Sequence, residues 1–135
     1  MMRLLIAFTL ASLGSTAVAD PIGVWRTPVG GQVAVERCGA GLCGRLLSSP
    51  QIAANPNVLD SQNRETGLRD RKLKGLQILS GFSGGPDSWT GGQIYNPQDG
   101  KTYSGSIVLT TRDSLILRGC VVAPFCRSQT WARVR

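Results

Sequence analysis

After residue 20 the chain is a succession of short runs in which apolar and polar residues alternate, broken at close intervals by Gly, Pro, Asn and Asp. A period of two puts successive side chains on opposite faces of an extended strand, so each run reads as a half-buried strand. No stretch of this region sustains the period of about 3.6 that an amphipathic helix needs over about eleven residues. The runs cover residues 22–26, 32–38, 42–47, 76–80, 88–95, 101–111, 115–119 and 129–134. In the second, Val33 and Val35 share a face; in the sixth, Tyr103, Ile107 and Leu109 do.

The breaks carry turn chemistry. Asn96-Pro97-Gln98-Asp99-Gly100 supplies a fixed φ at Pro and a positive one at Gly, and Arg112-Asp113-Ser114 is a short polar connector. Gly81-Phe82-Ser83-Gly84-Gly85 reads as a loop. Seventeen Gly residues suit a strongly bent sheet. The predicted fold class is all-β, with about eight short strands in a single domain. A meander of this size closes into a small antiparallel up-and-down β-barrel, which removes exposed edges. A two-sheet sandwich is the alternative, because periodicity does not separate the two. The interior of an eight-stranded barrel is filled by side chains or holds one small ligand. Residues 48–75 break the rhythm as one long, irregular, polar loop. Its stretch 69–74 has four basic side chains and one acid, and reads either as a lid or anion-binding strip or as a solvated crossover.

The start of the chain reads as an address. Met1-Met2-Arg3 is short and basic, residues 4–13 are apolar, and Ala17-Val18-Ala19 is a small-x-small cleavage site. This is the secretory signal pattern, with cleavage expected after Ala19. The apolar run is too short for a spanning helix, which needs about 18 residues or more. Removing residues 1–19 from 135 leaves 116, and the formal charge falls from +7 to +6 with the loss of Arg3. The expected location is periplasmic or secreted. There the partners open to a basic protein are anionic lipid, acidic polysaccharide or an acidic protein, and not cytoplasmic nucleic acid.

All four cysteines lie in the expected mature chain: Cys38, Cys43, Cys120 and Cys126. An even count in a small exported domain reads as two disulfides. Of three possible connectivities, the local one is favoured: Cys38–Cys43 and Cys120–Cys126. A hairpin turning at residues 39–42 would place Cys38 and Cys43 opposite each other, within disulfide reach. C-x-x-C is absent, and the chain has no His. That removes the Ser-His-Asp and Cys-His mechanisms and most zinc sites. No catalytic residue, metal or cofactor is assigned, and no enzyme is expected. A carboxylate pair of Asp60 with Asp70 or Glu65 remains the only opening for one, and nothing fixes its separation.

Several blocks together resemble the bacterial domain-of-unknown-function 2147 family of small exported proteins. Gly23-Val24-Trp25 opens the match, and Cys38-Gly39 with Leu42-Cys43-Gly44 follows. Asp60, Asn63 and residues 68–76 are similar to the family's central D-x-x-N and R-x-R-P-L-x-G-L stretch, with Lys72 in place of Pro. Residues 89–97 with Gly100-Lys101-Thr102-Tyr103 are the most telling piece, and residues 117–120 and 126–133 close it. The resemblance implies a lipocalin-like barrel and no known activity. Gly23-x-Trp25 also resembles the first-strand motif of lipocalins, in which an Arg from the last strand packs over the Trp. That implies barrel closure by Trp25, Trp131 and Arg133, with Arg133, or alternatively Arg26, against Trp25.

The functional expectation is a binding module of the bacterial envelope that holds a small amphipathic or anionic ligand at an open barrel end. Trp89, Tyr95 and Tyr103 are candidate wall residues. Asp60, Asn63, Arg69 and Arg71 are candidate polar contacts. The alternative is an interaction or inhibitor-type protein that presents the basic 48–75 loop to an envelope partner. A monomer is favoured.

Overall fold

The computed structural model describes residues 20–135, together with Ala7 and Thr9. The expected signal segment otherwise lies outside the described residues. Eight strands follow one another: β1 Gly23–Arg26, β2 Gln32–Cys38, β3 Gly41–Ser48, β4 Gln77–Gly84, β5 Ser88–Asn96, β6 Lys101–Thr111, β7 Ser114–Val122 and β8 Phe125–Arg133. Each pairs antiparallel with the next, and β8 returns to β1, so the sheet is a closed up-and-down barrel. Closure rests on two opposed pairs, Trp25 with Arg133 and Arg26 with Ala132.

Three sequence expectations need correction. The segment 81–85 is not a loop, because β4 continues to Gly84. Phe82 supplies the reason: its side chain is fully buried, and β4 pairs onward through Ser83–Thr90 and Gly84–Trp89. Gly81, at φ +72, bends the strand there, a conformation that only glycine adopts freely. The last two strands are also longer than their alternation suggests. They run to Val122 and from Phe125, and Cys120 pairs directly with Cys126 at a Cα separation of 4.0 Å. Finally, Cys38 and Cys43 are bonded but not opposed. The hairpin turns on Gly39-Ala40, so Cys38 faces Gly41 and Cys43 faces Glu36, and the disulfide runs diagonally.

The long connection from β3 to β4 is ordered. Ser49 caps a one-turn helix, α1 (Pro50–Ala54), by accepting from Ile52 N–H at 3.2 Å. A 3-10 turn follows at Thr66–Leu68. The connection doubles back on itself, with Leu59 bridging Lys72 and Leu73 N–H donating to Val58 O at 3.0 Å. It buries Ile52, Leu73 and Leu76 against the core.

The two barrel ends differ. One carries the turns after β2, β4 and β6, and there the chain ends meet. Trp25 is fully buried and donates from Nε1 to Pro21 O at 2.8 Å. The Arg133 guanidinium lies 4.4 Å from the Trp25 ring centroid. It also donates to Arg112 O at 2.7 Å, to Ile22 O at 2.9 Å and to Asp20 O. Arg133, not Arg26, therefore forms the plug. The middle of the barrel is filled: Phe82, Leu42, Leu79, Ile107, Leu115, Val33 and Val35 are each no more than 1% exposed. Glycine makes that density possible, since a Cβ on Gly92 would enter the Phe82 ring and one on Gly105 would strike Ile94. The opposite end carries the long connection, the β5–β6 turn and the tip of the β7–β8 hairpin. Open space is found at this loop end.

Candidate functional site

Between the long connection and β4–β7 lies a half-open cavity of about 490 Å³. That is within the range of small-molecule sites, roughly 300–1,000 Å³. Its wall mixes apolar surface from Leu68, Ile78 and Val121 with the rings of Tyr95 and Tyr103 and the cations Arg64, Arg71 and Lys101. Glu65 is the one carboxylate among the lining residues.

The wall is held by a buried network centred on Asp60. Its side chain is 1% exposed and accepts from Tyr95 Oη, from Asn63 Nδ2 at 2.9 Å and from Arg71 at 3.0 Å. Asp60 N–H donates to Arg71 O at 2.7 Å, which closes the doubled connection over the carboxylate. Asn63, also buried, orders the following turn by accepting from Glu65 N–H at 2.8 Å. Arg69 donates to Asn63 O at 2.8 Å. A carboxylate this enclosed is tolerated because both of its oxygens find donors, three in all; removing one partner costs about 1–3 kcal/mol. Asp60 and Arg69 therefore brace the cavity, while Asn63, Arg71 and Tyr95 belong both to the brace and to the cavity lining.

The β5–β6 turn is fastened to the same support. Gly100 (φ +71) lies so close to Gln62 O that a Cβ would collide with it, and Arg64 Nε donates to Asp99 O at 3.2 Å. The turn holds its own form through Asn96 Oδ1, which accepts from Gln98 N–H at 2.9 Å, and Asp99 Oδ1, which accepts from Lys101 N–H at 2.9 Å. Tyr103 Oη donates to Asp99.

Both phenols are kept protonated. Burial first, then the bond to the Asp60 carboxylate, pushes Tyr95 up to about 12. The bond to Asp99 and burial raise Tyr103. Tyr95 donates its proton to the buried Asp60 and Tyr103 to Asp99 in the β5–β6 turn, and both residues line the cavity. The positive lining charge is therefore not offset by a tyrosinate at neutral pH.

Of the candidate residues read from the sequence, Asp60, Asn63, Arg69, Arg71, Tyr95 and Tyr103 are brought to one end. Trp89 is not. It is buried at the plugged end, beside Gly85 and Pro86, and pairs with Ile107. Trp131 is buried opposite Leu115, with Nε1 donating to Gln129 at 3.1 Å. Arg64, Lys101 and Val121 line the cavity without having been singled out. A signal for Lys101 existed, since it follows directly on the turn that closes the wall; Arg64 and Val121 join only through folding.

An eight-stranded meander barrel plugged by Trp and Arg at one end and carrying a cavity at the other defines a lipocalin-like protein. Residues 23–133 match the family described as uncharacterized proteins conserved in bacteria (DUF2147), and the chain belongs to that family. A solved structure, described as protein HP1028 from the human pathogen Helicobacter pylori and assigned there to the lipocalin family, superimposes with a TM-score of 0.78. It is 22% identical, with 87% of this chain and 84% of that chain covered, a likeness that speaks for the fold. No curated protein matches the chain in sequence.

Proposed function

We propose that this protein is an exported, non-enzymatic carrier or sensor that holds a small anionic amphiphile in the loop-end cavity. The observation that carries the reading is the cavity wall: apolar and aromatic surface beside Arg64, Arg71 and Lys101, with one lining carboxylate. Arg71 already shares Asp60, so Arg64 and Lys101 supply most of the uncompensated charge. The packed mid-barrel limits the ligand to the end of the barrel and favours a compact head with a short apolar portion. Export is supported by the basic start, apolar run and Ala-x-Ala site, and by two disulfides of the kind that persist outside the cytoplasm.

Binding of the anionic fluorophore 8-anilinonaphthalene-1-sulfonate tests the reading, beside native mass spectrometry of protein purified from its own envelope. Arg64→Gln with Lys101→Gln should weaken the fluorophore about tenfold, at up to ~1 kcal/mol for each partly exposed charge contact. Equal binding of an uncharged analogue, or an empty protein that also ignores the fluorophore, overturns it. Amino-terminal sequencing of the same sample should begin at Asp20.

A further inference from the structure

The exposed large hydrophobic side chains are unevenly placed. Among the described residues, Val29, Leu59, Val121, Val122 and Phe125 all belong to the loop end, and Val108 alone is on the barrel wall. They sit on three separate projections: the β1–β2 turn, the long connection and the β7–β8 hairpin tip. The tip is the most prominent, with Val121 at 75%, Val122 at 63% and Phe125 at 72% exposure. The Cys120–Cys126 disulfide at its base holds these side chains out on a braced hairpin. Basic residues stand behind them. Arg118 and Arg127 flank the disulfide on the two strands, and among the described residues neither forms a salt bridge. Lys101, at the start of β6, and the basic 69–74 stretch belong to the same end.

From this arrangement we infer that the loop end docks on an anionic phospholipid bilayer, with the Val121–Phe125 tip inserted into the interface and the cations on the headgroups. The chemistry favours lipid over a protein partner. A stable protein interface needs about 20–30 residues a side in a contiguous, well-packed patch. Here three apolar side chains share one narrow hairpin tip and single ones stand on two other loops, with basic residues at the same end. Interfacial insertion works with that pattern, since each apolar chain enters the acyl boundary on its own while Lys and Arg reach the phosphates. Each cation near an anionic surface adds about 1 kcal/mol, or about fivefold in binding. The formal net charge of +6 expected once residues 1–19, with Arg3, are removed from the +7 of the full sequence acts in the same direction. The inference reaches beyond ligand binding in the cavity, because it assigns a different physical partner and a surface that shares Val121 and Lys101 with the cavity rim but centres on Val122, Phe125 and Arg127 outside it.

The test is co-sedimentation with vesicles of phosphatidylglycerol and phosphatidylcholine, against phosphatidylcholine alone. The full sequence is expressed, and the protein is used as the cell processes it, with residues 1–19 shown by mass to be removed. Retention on anionic vesicles is expected, weakening with salt. Phe125→Asp should lower retention about tenfold, Arg127→Gln about fivefold, and Phe125→Leu should restore nearly all of it. A Phe125→Trp variant should shift its emission to the blue on the same vesicles. Phe125→Asp should leave binding of the soluble fluorophore within about twofold, which separates this inference from the cavity reading. No retention on anionic vesicles, or retention that ignores Phe125→Asp while the far-ultraviolet spectrum is unchanged, overturns it.

Discussion

At the residue scale, most of the chemistry at the loop end passes through Asp60. One enclosed carboxylate fixes the Tyr95 ring, the Asn63 turn and the Arg71 guanidinium. Its effect on Tyr95 is directly readable, because the chain has two tyrosines. Absorbance at 295 nm should show no tyrosinate below pH ~10, the ordinary phenol range. In a Tyr103→Phe variant a single transition should remain, near 12. The sign for stability follows. A phenol whose folded pKa is raised favours the folded state fully below its unfolded value, and that contribution is lost as pH rises from about 10 through about 12. Unfolding monitored by tryptophan emission should therefore show an alkaline decline that Tyr95→Phe reduces. A Tyr95 that titrates near 10 would mean that the phenol is neither buried nor held on Asp60.

At the element scale, the two hairpin disulfides do different work. Cys38–Cys43 ties a two-residue turn diagonally, while Cys120–Cys126 braces a projecting tip. A loop this small gains only about 2 kcal/mol from its bond in the chain-entropy model. Cys120→Ser with Cys126→Ser should lower global stability by no more than that, and hydrogen exchange should accelerate over 118–128 while β2 and β3 keep their protection. Equal acceleration throughout the barrel would show that the tip's bond supports the whole sheet.

The elements also differed in how far they could be read. The strand alternation was legible because one face of each strand is buried, as at Val33, Val35, Ile107 and Leu109. β4 was cut short because Gly81, Gly84 and Gly85 have the composition of a turn, although Phe82 between them anchors the core. Ser49-Pro50 followed by Ile52 did carry a helix-start signal, with a capping serine and a first-turn proline, but α1 is too short to display a period. The cavity was half legible. Asp60, Asn63, Arg71 and Tyr95 stood out by residue type, whereas Arg64 and Val121 reach the same wall only once the long connection docks.

At the scale of the whole molecule, packing at one end and openness at the other are coupled through the barrel's closure. β1 meets β8 over two opposed pairs, so the Trp25–Arg133 plug contributes strongly to holding the seam. Trp25→Ala should cost about 3–5 kcal/mol in urea unfolding, the range for emptying a fully buried large aromatic site. Arg133→Ala should cost less, near 1–2 kcal/mol, from the lost ring stacking and carbonyl bonds. Equal and negligible losses would mean that the seam is held elsewhere. The filled mid-section separates the two ends. A substitution at the plug should therefore change stability without altering fluorophore affinity in the molecules that remain folded.

Beside the plug, Val24 N–H donates to Arg135 O at 2.7 Å and Val134 N–H donates to Val24 O at 2.7 Å, while Arg133 reaches Asp20 O. Residues 20–24 and 133–135 are therefore stitched side by side. From Asp20 to Arg135 the polypeptide is nearly a ring. A short linker from Arg135 to Asp20, with new termini opened at the exposed 111–114 turn, would give a circular permutant with the same neighbours throughout. Cargo fused after Arg135 would leave from the face turned away from the mouth, so immobilising the molecule by its tail would present the cavity outward.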